Sequence, residues 1–282
     1  MVQRLPSSYF FDAADPRAPS VEQWEQMLPD ERARVVAMLP ADVPLELLPN
    51  EGDPHRKAKQ RALAALDGYF QRSHRKVYLS SELATFYPGE SRFAPDLIAV
   101  VDVETHERMK WVVATEGKGL DFVLEVHVAG DRRKDEKTNV ERYARLGIPE
   151  YFYFDRTRLR IDGYRLPAGR ADAHAYQRIV PQSGRLVSEV LGLDLALEGA
   201  RLRFFAGNAP LEDAEEMSAR LGAMLDKVIA GQEEAERRNE EAEQRNEELA
   251  SQLAEEQTRR EEAERQLAEM RAENERLRKG LL

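Results

Sequence analysis

The stretch Leu120-Asp-Phe-Val-Leu-Glu125-Val-His127-Val128 sets an acid and an imidazole two residues apart inside an apolar run. Such a run reads as a strand, and side chains alternate between the two faces of a strand. Glu125 and His127 then point the same way, while Phe122, Leu124 and Val126 point into a core. An ionised carboxylate among apolar neighbours is costly unless a cation or hydrogen bonds compensate it. A second acid has a similar setting, Asp96 in Phe93-Ala-Pro-Asp-Leu-Ile-Ala-Val-Val101. Downstream, Asp131-Arg-Arg-Lys134-Asp-Glu-Lys137 starts a polar helix that leads to Tyr143. Two strand-borne acids, an E-x-H pair and nearby lysines suit a hard divalent cation working on phosphodiesters. Mg2+ and Mn2+ prefer carboxylate, carbonyl and water oxygens, so Asp96 and Glu125 are the candidate ligands, with a main-chain carbonyl near Val126 as a third.

Each of these residues also has a plainer explanation. Asp96 follows Pro95 and could begin a strand or accept turn hydrogen bonds. Glu125 could pair with a buried Arg or Lys, and His127 could be a hydrogen-bonded core histidine. Asp131 is best read as a helix cap. Lys137 and Tyr143 could be an ordinary surface residue and an ordinary packing residue. Gly117-Lys-Gly119 lacks the spacing of a phosphate loop and reads as a turn. The five histidines show no His-x-x-x-His spacing, so a histidine zinc site is poorly supported. No Gly-x-Ser-x-Gly elbow or nucleotide-binding glycine array is present.

The same residues carry a family resemblance. Pro95-Asp96, Asp121-Phe-Val-Leu-Glu125-Val, and Asp131…Lys137…Tyr143-Ala-Arg-Leu-Gly147-Ile-Pro-Glu150-Tyr resemble the Uma family of restriction endonucleases, within the PD-(D/E)XK nuclease superfamily. The similarity runs from about Trp24 to Phe205 and takes in Ile161-Asp-Gly-Tyr-Arg-Leu166 and Ser188-Glu-Val-Leu-Gly-Leu193. It implies a restriction-endonuclease-like α/β fold, a mixed sheet flanked by helices, with metal-binding roles for Asp96 and Glu125 and DNA as substrate. One position departs from the superfamily pattern, which has lysine two residues after the acid where this chain has His127. The cation is then expected from Lys137 first, His127 second and Lys134 third. Without a lysine in place the fold would be a decayed nuclease that binds nucleic acid or a protein partner. A third reading makes the α/β domain simply the head of a coiled-coil assembly protein.

The supporting elements are legible in outline. Of 282 residues, the segment from Gly231 to Leu282 holds 10 basic and 16 acidic residues and no aromatic one. The first 230 residues then hold 32 basic and 36 acidic residues, a net of −4. A body so close to neutral has no general attraction for nucleic acid, so any DNA contact needs a local basic patch. The dense candidate lies on a helix from His55 to about Gln71, whose face with Arg56, Lys57, Lys59 and Arg61 could contact the DNA backbone. The first 54 residues hold eight of the fourteen prolines. They read as two short helices, one opened by a Ser20–Gln23 capping box, the other running from Glu31 to Leu39, packed as a brace. Strands are expected at Val77–Phe86, Arg92–Asp102, Trp111–Val113, Leu120–Val128 and Pro149–Asp155, with a helix from about Arg133 to Leu146 before the last. Further strands or hairpin arms follow at Arg158–Arg165, Ala175–Leu186, Leu191–Leu197 and Arg201–Phe205. The expected organisation is a brace over 1–54, the α/β domain over 55–210, and a helical linker with coiled coil over 211–282.

With Val228 as position d, the tail keeps a seven-residue frame. Its a positions are Gln232, Asn239, Asn246, Leu253, Arg260, Leu267, Asn274 and Leu281. Its later d positions are Ala235, Ala242, Leu249, Glu256, Ala263, Met270 and Leu277. Asparagine at a, together with the g-to-e pairs Arg238–Glu243, Arg259–Glu264 and Glu273–Arg278, favours a parallel homodimer through residues 228–282, firmest from Leu249 on. The absence of cysteine excludes disulfides, thiol nucleophiles and thiolate zinc sites. With no apolar stretch of membrane-spanning length and no signal-like N-terminus, the chain is expected to be cytoplasmic.

Overall fold

A mixed six-stranded sheet carries the core of the protein in its computed structural model, which describes residues 9–44, 52–129, 133–168 and 174–279. The chain enters through α1 (Val21–Gln26) and α2 (Pro29–Met38). The expected capping box opens α1, with the Gln23 N–H donating to Ser20 Oγ and the Ser20 N–H to Gln23 Oε1. Val35 and Leu39 are buried, and the Lys110 ammonium donates to the Val36 and Leu39 carbonyls that α2 leaves unpaired at its end. The long helix α3 (Asp53–Ser73) follows, with Ala62, Ala65, Leu66 and Phe70 buried along one stripe.

The expected strand Val77–Phe86 is in fact two, β1 (Val77–Ser80) and β2 (Thr85–Phe86). Glu82 breaks it by adopting a left-handed φ of 54°, and its N–H donates to Pro95 O at 2.9 Å. Then come β3 (Leu97–Val101), β4 (Trp111–Val112), the short α4 (Val113–Glu116) and β5 (Phe122–His127). The helix expected from Arg133 begins as a π-helical turn over Lys134–Thr138 and continues as α5 (Asn139–Arg145). It ends at Gly147, whose φ of 73° suits the residue beyond a helix end. The remaining elements are β6 (Glu150–Asp155), β7 (Arg160–Arg165), β8 (Gln177–Arg178), β9 (Leu186–Ser188), β10 (Leu193–Glu198), β11 (Arg201–Ala206), β12 (Ala209–Pro210) and α6 (Ala214–Lys279).

The main sheet has the order β1-β3-β5-β6-β7-β8, and β2 pairs with β4 in a small separate ladder. Within the main sheet only β5 and β6 run parallel, which requires the crossover through the π turn and α5. Phe122, Leu124 and Val126 pack with Ala62, Leu66 and Phe70 of α3 on one face. Val123 packs with Tyr143 of α5 and Ile148 on the other. The expected alternation along β5 therefore holds. A second sheet, β12-β11-β10-β9, is tied to the first through buried Glu150, which accepts from Arg165 Nε and the Glu189 N–H, both at 2.8 Å, and from Ser188 Oγ. The architecture is the mixed α/β layer expected from the sequence, followed by a long C-terminal helix.

The chain divides into two compact units, one up to Glu216 and one from Met217 onward. The first contains α1 and α2 together with the sheets. Among the described residues, no helix is long and apolar enough to cross a membrane.

Candidate functional site

Asp96 stands immediately before β3, and antiparallel pairing of Leu97 with Leu124 sets it beside Glu125 of β5. The two acids hold each other's strands. The Asp96 N–H donates to Glu125 Oε2 at 3.2 Å, and the Val126 N–H donates to Asp96 Oδ2 at 2.7 Å. Both acids are buried, with 4% exposure for Asp96 and 9% for Glu125. Neither carboxylate is left bare among apolar groups, which answers the desolvation cost of placing them there.

Each acid is also reached by a helix. From α5, the Tyr143 hydroxyl donates to Glu125 Oε1 at 2.6 Å. Burial, and secondarily the charge of Glu125, push the Tyr143 phenol well above its ordinary pKa, so it stays a donor. From α3, His55 Nε2 lies 3.1 Å from Asp96 Oδ2 and Lys59 Nζ lies 4.0 Å from Asp96 Oδ1. Lys59 is in addition ion-paired with Glu82, the residue that breaks the strand between β1 and β2. His127 is buried at the end of β5 with Nδ1 3.5 Å from Asp135 Oδ2 on the π-helical turn. Asp135 is held in turn, accepting from Asn139 Nδ2 at 3.1 Å, while its carbonyl accepts from the Tyr151 hydroxyl at 2.9 Å.

The sequence-derived residues fare differently. Asp96 and Glu125 are brought together, and His127 shares a strand with Glu125. Lys137 is exposed on the π-helical turn, and no described contact joins it to either acid. Asp131 and the side chain of Lys134 lie outside the described residues. The expected basic face of α3 needs a correction. Arg56 and Lys57 are exposed, but Lys59 is buried at 4% and faces Asp96, because a stem of four methylenes can run inward where carboxylates receive its head. Arg61 is half-buried and engaged with Asp213 and Glu215. Sequence reading missed His55, Glu82 and Asp135. A signal for His55 and Lys59 was present: at four-residue spacing they extend the buried stripe of Ala62, Leu66 and Phe70 towards the helix start.

Residues 21–200 match the family model Uma2, described as "Putative restriction endonuclease". The chain belongs to this family. A search of curated proteins finds no match. Among solved structures, a similar one is a crystal structure of "a putative nuclease belonging to DUF820" from Anabaena variabilis, at 11% identity and a TM-score of 0.40. That similarity covers 51% of this chain and 76% of the other. The residues themselves decide whether a cation fits this Uma2 chain. Among the described residues no group of three or more His, Asp or Glu side chains forms a metal cage. Two adjacent buried carboxylates nevertheless match the mode Mg2+ favours, in which one or two acids hold the ion while water and phosphate oxygens complete its shell. The donor set therefore fits a hard cation.

Proposed function

We propose that this chain is a metal-dependent endonuclease that hydrolyses phosphodiester bonds in DNA. One observation carries the reading: two buried carboxylates, Asp96 and Glu125, fixed side by side by each other's backbone in a chain of the Uma2 family. A bound Mg2+ or Mn2+ would supply charge neutralisation and a more acidic water. Asp96 and Glu125 would hold it. Tyr143 keeps Glu125 oriented by donating to one of its oxygens. His127, fixed beside Asp135, is a second group on the same strand able to meet the substrate or relay a proton. Lys137, exposed on the π-helical turn of the crossover, is the last sequence-derived candidate to meet the substrate. Arg56 and Lys57, exposed on α3, are the remaining candidates for backbone contact. Two chains joined through the tail would act on the two strands of a duplex.

The test is incubation of the purified protein with supercoiled plasmid, with and without Mg2+ or Mn2+, beside Glu125→Gln. Nicking or linearisation that needs the metal and falls by about 100-fold or more in the variant is expected. Cleavage equal in both proteins, or none with the wild type, removes the endonuclease reading and leaves a binding module.

A further inference from the structure

We propose that Lys59 of α3, and not a residue of the strand or the crossover, supplies the cationic group that position 127 lacks. This rests on the endonuclease reading above. His55 and Lys59 are four residues apart, so they project from one face of the helix, and that face is turned to Asp96. Their exposures are 2% and 4%. A lysine so deeply buried requires carboxylates around it. Among the described contacts Lys59 has Glu82 in direct ion pair, and Asp96 with Oδ1 at 4.0 Å from the ammonium.

The surroundings show that this placement is built. Glu82 reaches Lys59 from a left-handed conformation with φ 54°, uncommon for a residue with a side chain, and is anchored to the Pro95 carbonyl one residue before Asp96. The ammonium, the Asp96 carboxylate and the Pro95–Asp96 backbone are thus locked into one cluster. Asp96 Oδ2 is already fixed by His55 and by the Val126 N–H, which directs Oδ1 towards Lys59. A phosphodiester drawn to Asp96 and Glu125 would bring a non-bridging oxygen to that ammonium.

The step is an ordinary hydrolysis. A water oxygen bonds to phosphorus while the bond from phosphorus to the departing sugar oxygen breaks. The attacking water gives up a proton to solvent, and the departing oxygen takes one from solvent. Lys59 keeps its own proton throughout and acts by charge, balancing the negative charge that grows on the phosphoryl oxygens.

Three variants decide it. Lys59→Arg preserves the charge. Lys59→Met removes it but leaves Glu82 uncompensated, so Lys59→Met/Glu82→Gln removes both ends of the pair and protects the fold. In plasmid cleavage the double variant is expected to lose about 100-fold in kcat with KM nearly unchanged, and Lys59→Arg to retain most of the rate. Wild-type kcat in the double variant overturns the assignment, because a purely structural lysine is dispensable once its partner is neutralised. If the wild type itself cuts nothing, the endonuclease reading fails separately, and Mn2+ titration calorimetry decides the place of Lys59. Several-fold tighter Mn2+ binding in Lys59→Met, weakened again by adding Glu125→Gln, keeps the ammonium at the cation site. Unchanged affinity removes it.

Discussion

Tyr143 joins the chemistry of the site to the stability of the fold. Its hydroxyl donates to Glu125 while its ring packs between Phe93 and Tyr151, with centroids at 5.7 and 5.1 Å. Burial and the neighbouring carboxylate raise its pKa well above the ordinary value, and Tyr151 is raised in the same direction, by burial first and Glu125 second. A phenol in the unfolded chain ionises near pH 10, whereas these two remain protonated in the fold. Above that pH the unfolded state has released protons that the folded state retains. The stability contributed by the pair is therefore complete below about pH 10 and declines as pH rises further, by up to about 1.4 kcal/mol per pH unit per phenol. The expectation is that phenolate absorbance titrates in two stages. Half-buried tyrosines such as Tyr164, which burial raises less far, ionise first, and a later step coincides with cooperative loss of near-ultraviolet circular dichroism. A single gradual titration with the fold intact would contradict the arrangement. None of this was visible from Tyr143 alone, which in sequence is one aromatic residue on a helix; the hydroxyl acquires its role only when the crossover lays α5 against β5.

Elements with a regular apolar period were readable, and irregular ones were not. The alternation of Phe122, Leu124 and Val126 against Glu125 and His127 predicted both faces of β5, because burial on both sides leaves no other register. The run Val77–Phe86 looked continuous since nothing in its composition marks Glu82 as left-handed; an ion pair with a residue of another element holds it there. The π-helical turn gave no signal of its own, since its residues are ordinary helix formers. Lys59 misled because four basic residues within six positions, Arg56 to Arg61, look like a solvated face, although the buried stripe continues through that position. Gly163 shows a requirement that position within an element can state. It pairs with Phe152 across β6 and β7, and a Cβ there would stand 2.8 Å from Phe152 Cε1 and 3.1 Å from Ile179 Cδ1. The aromatic ring fills the space the glycine leaves. Gly163→Ala is expected to destabilise the protein by about 1–3 kcal/mol, read as a lower urea midpoint at unchanged slope. An unchanged midpoint would show that Phe152 can move aside at no cost.

At the scale of the whole molecule, α6 runs 66 residues, about 100 Å at 1.5 Å per residue. Its heptad frame leaves Leu249, Leu253, Leu267 and Met270 exposed along one seam in the single chain, while Leu277 and Leu281 lie outside the residues whose side chains are described. The two charged residues that interrupt the seam, Glu256 at d and Arg260 at a, are 3.2 Å apart within the helix and offset each other. A second copy of the chain supplies the same apolar surface in the same register and the opposite charge at three g-to-e pairs, Arg238–Glu243, Arg259–Glu264 and Glu273–Arg278, which favours a parallel coil. The full chain is therefore expected to sediment as a dimer at micromolar concentration. Leu249→Lys with Leu253→Lys places like charges at adjacent core layers and should yield a monomer. If the endonuclease reading holds, the same change should shift the plasmid product from linear DNA towards nicked circles, because one binding event then delivers one site instead of two. A wild-type monomer, or a dimer that survives both lysines, would remove the tail from the association and require another surface to bring two sites together.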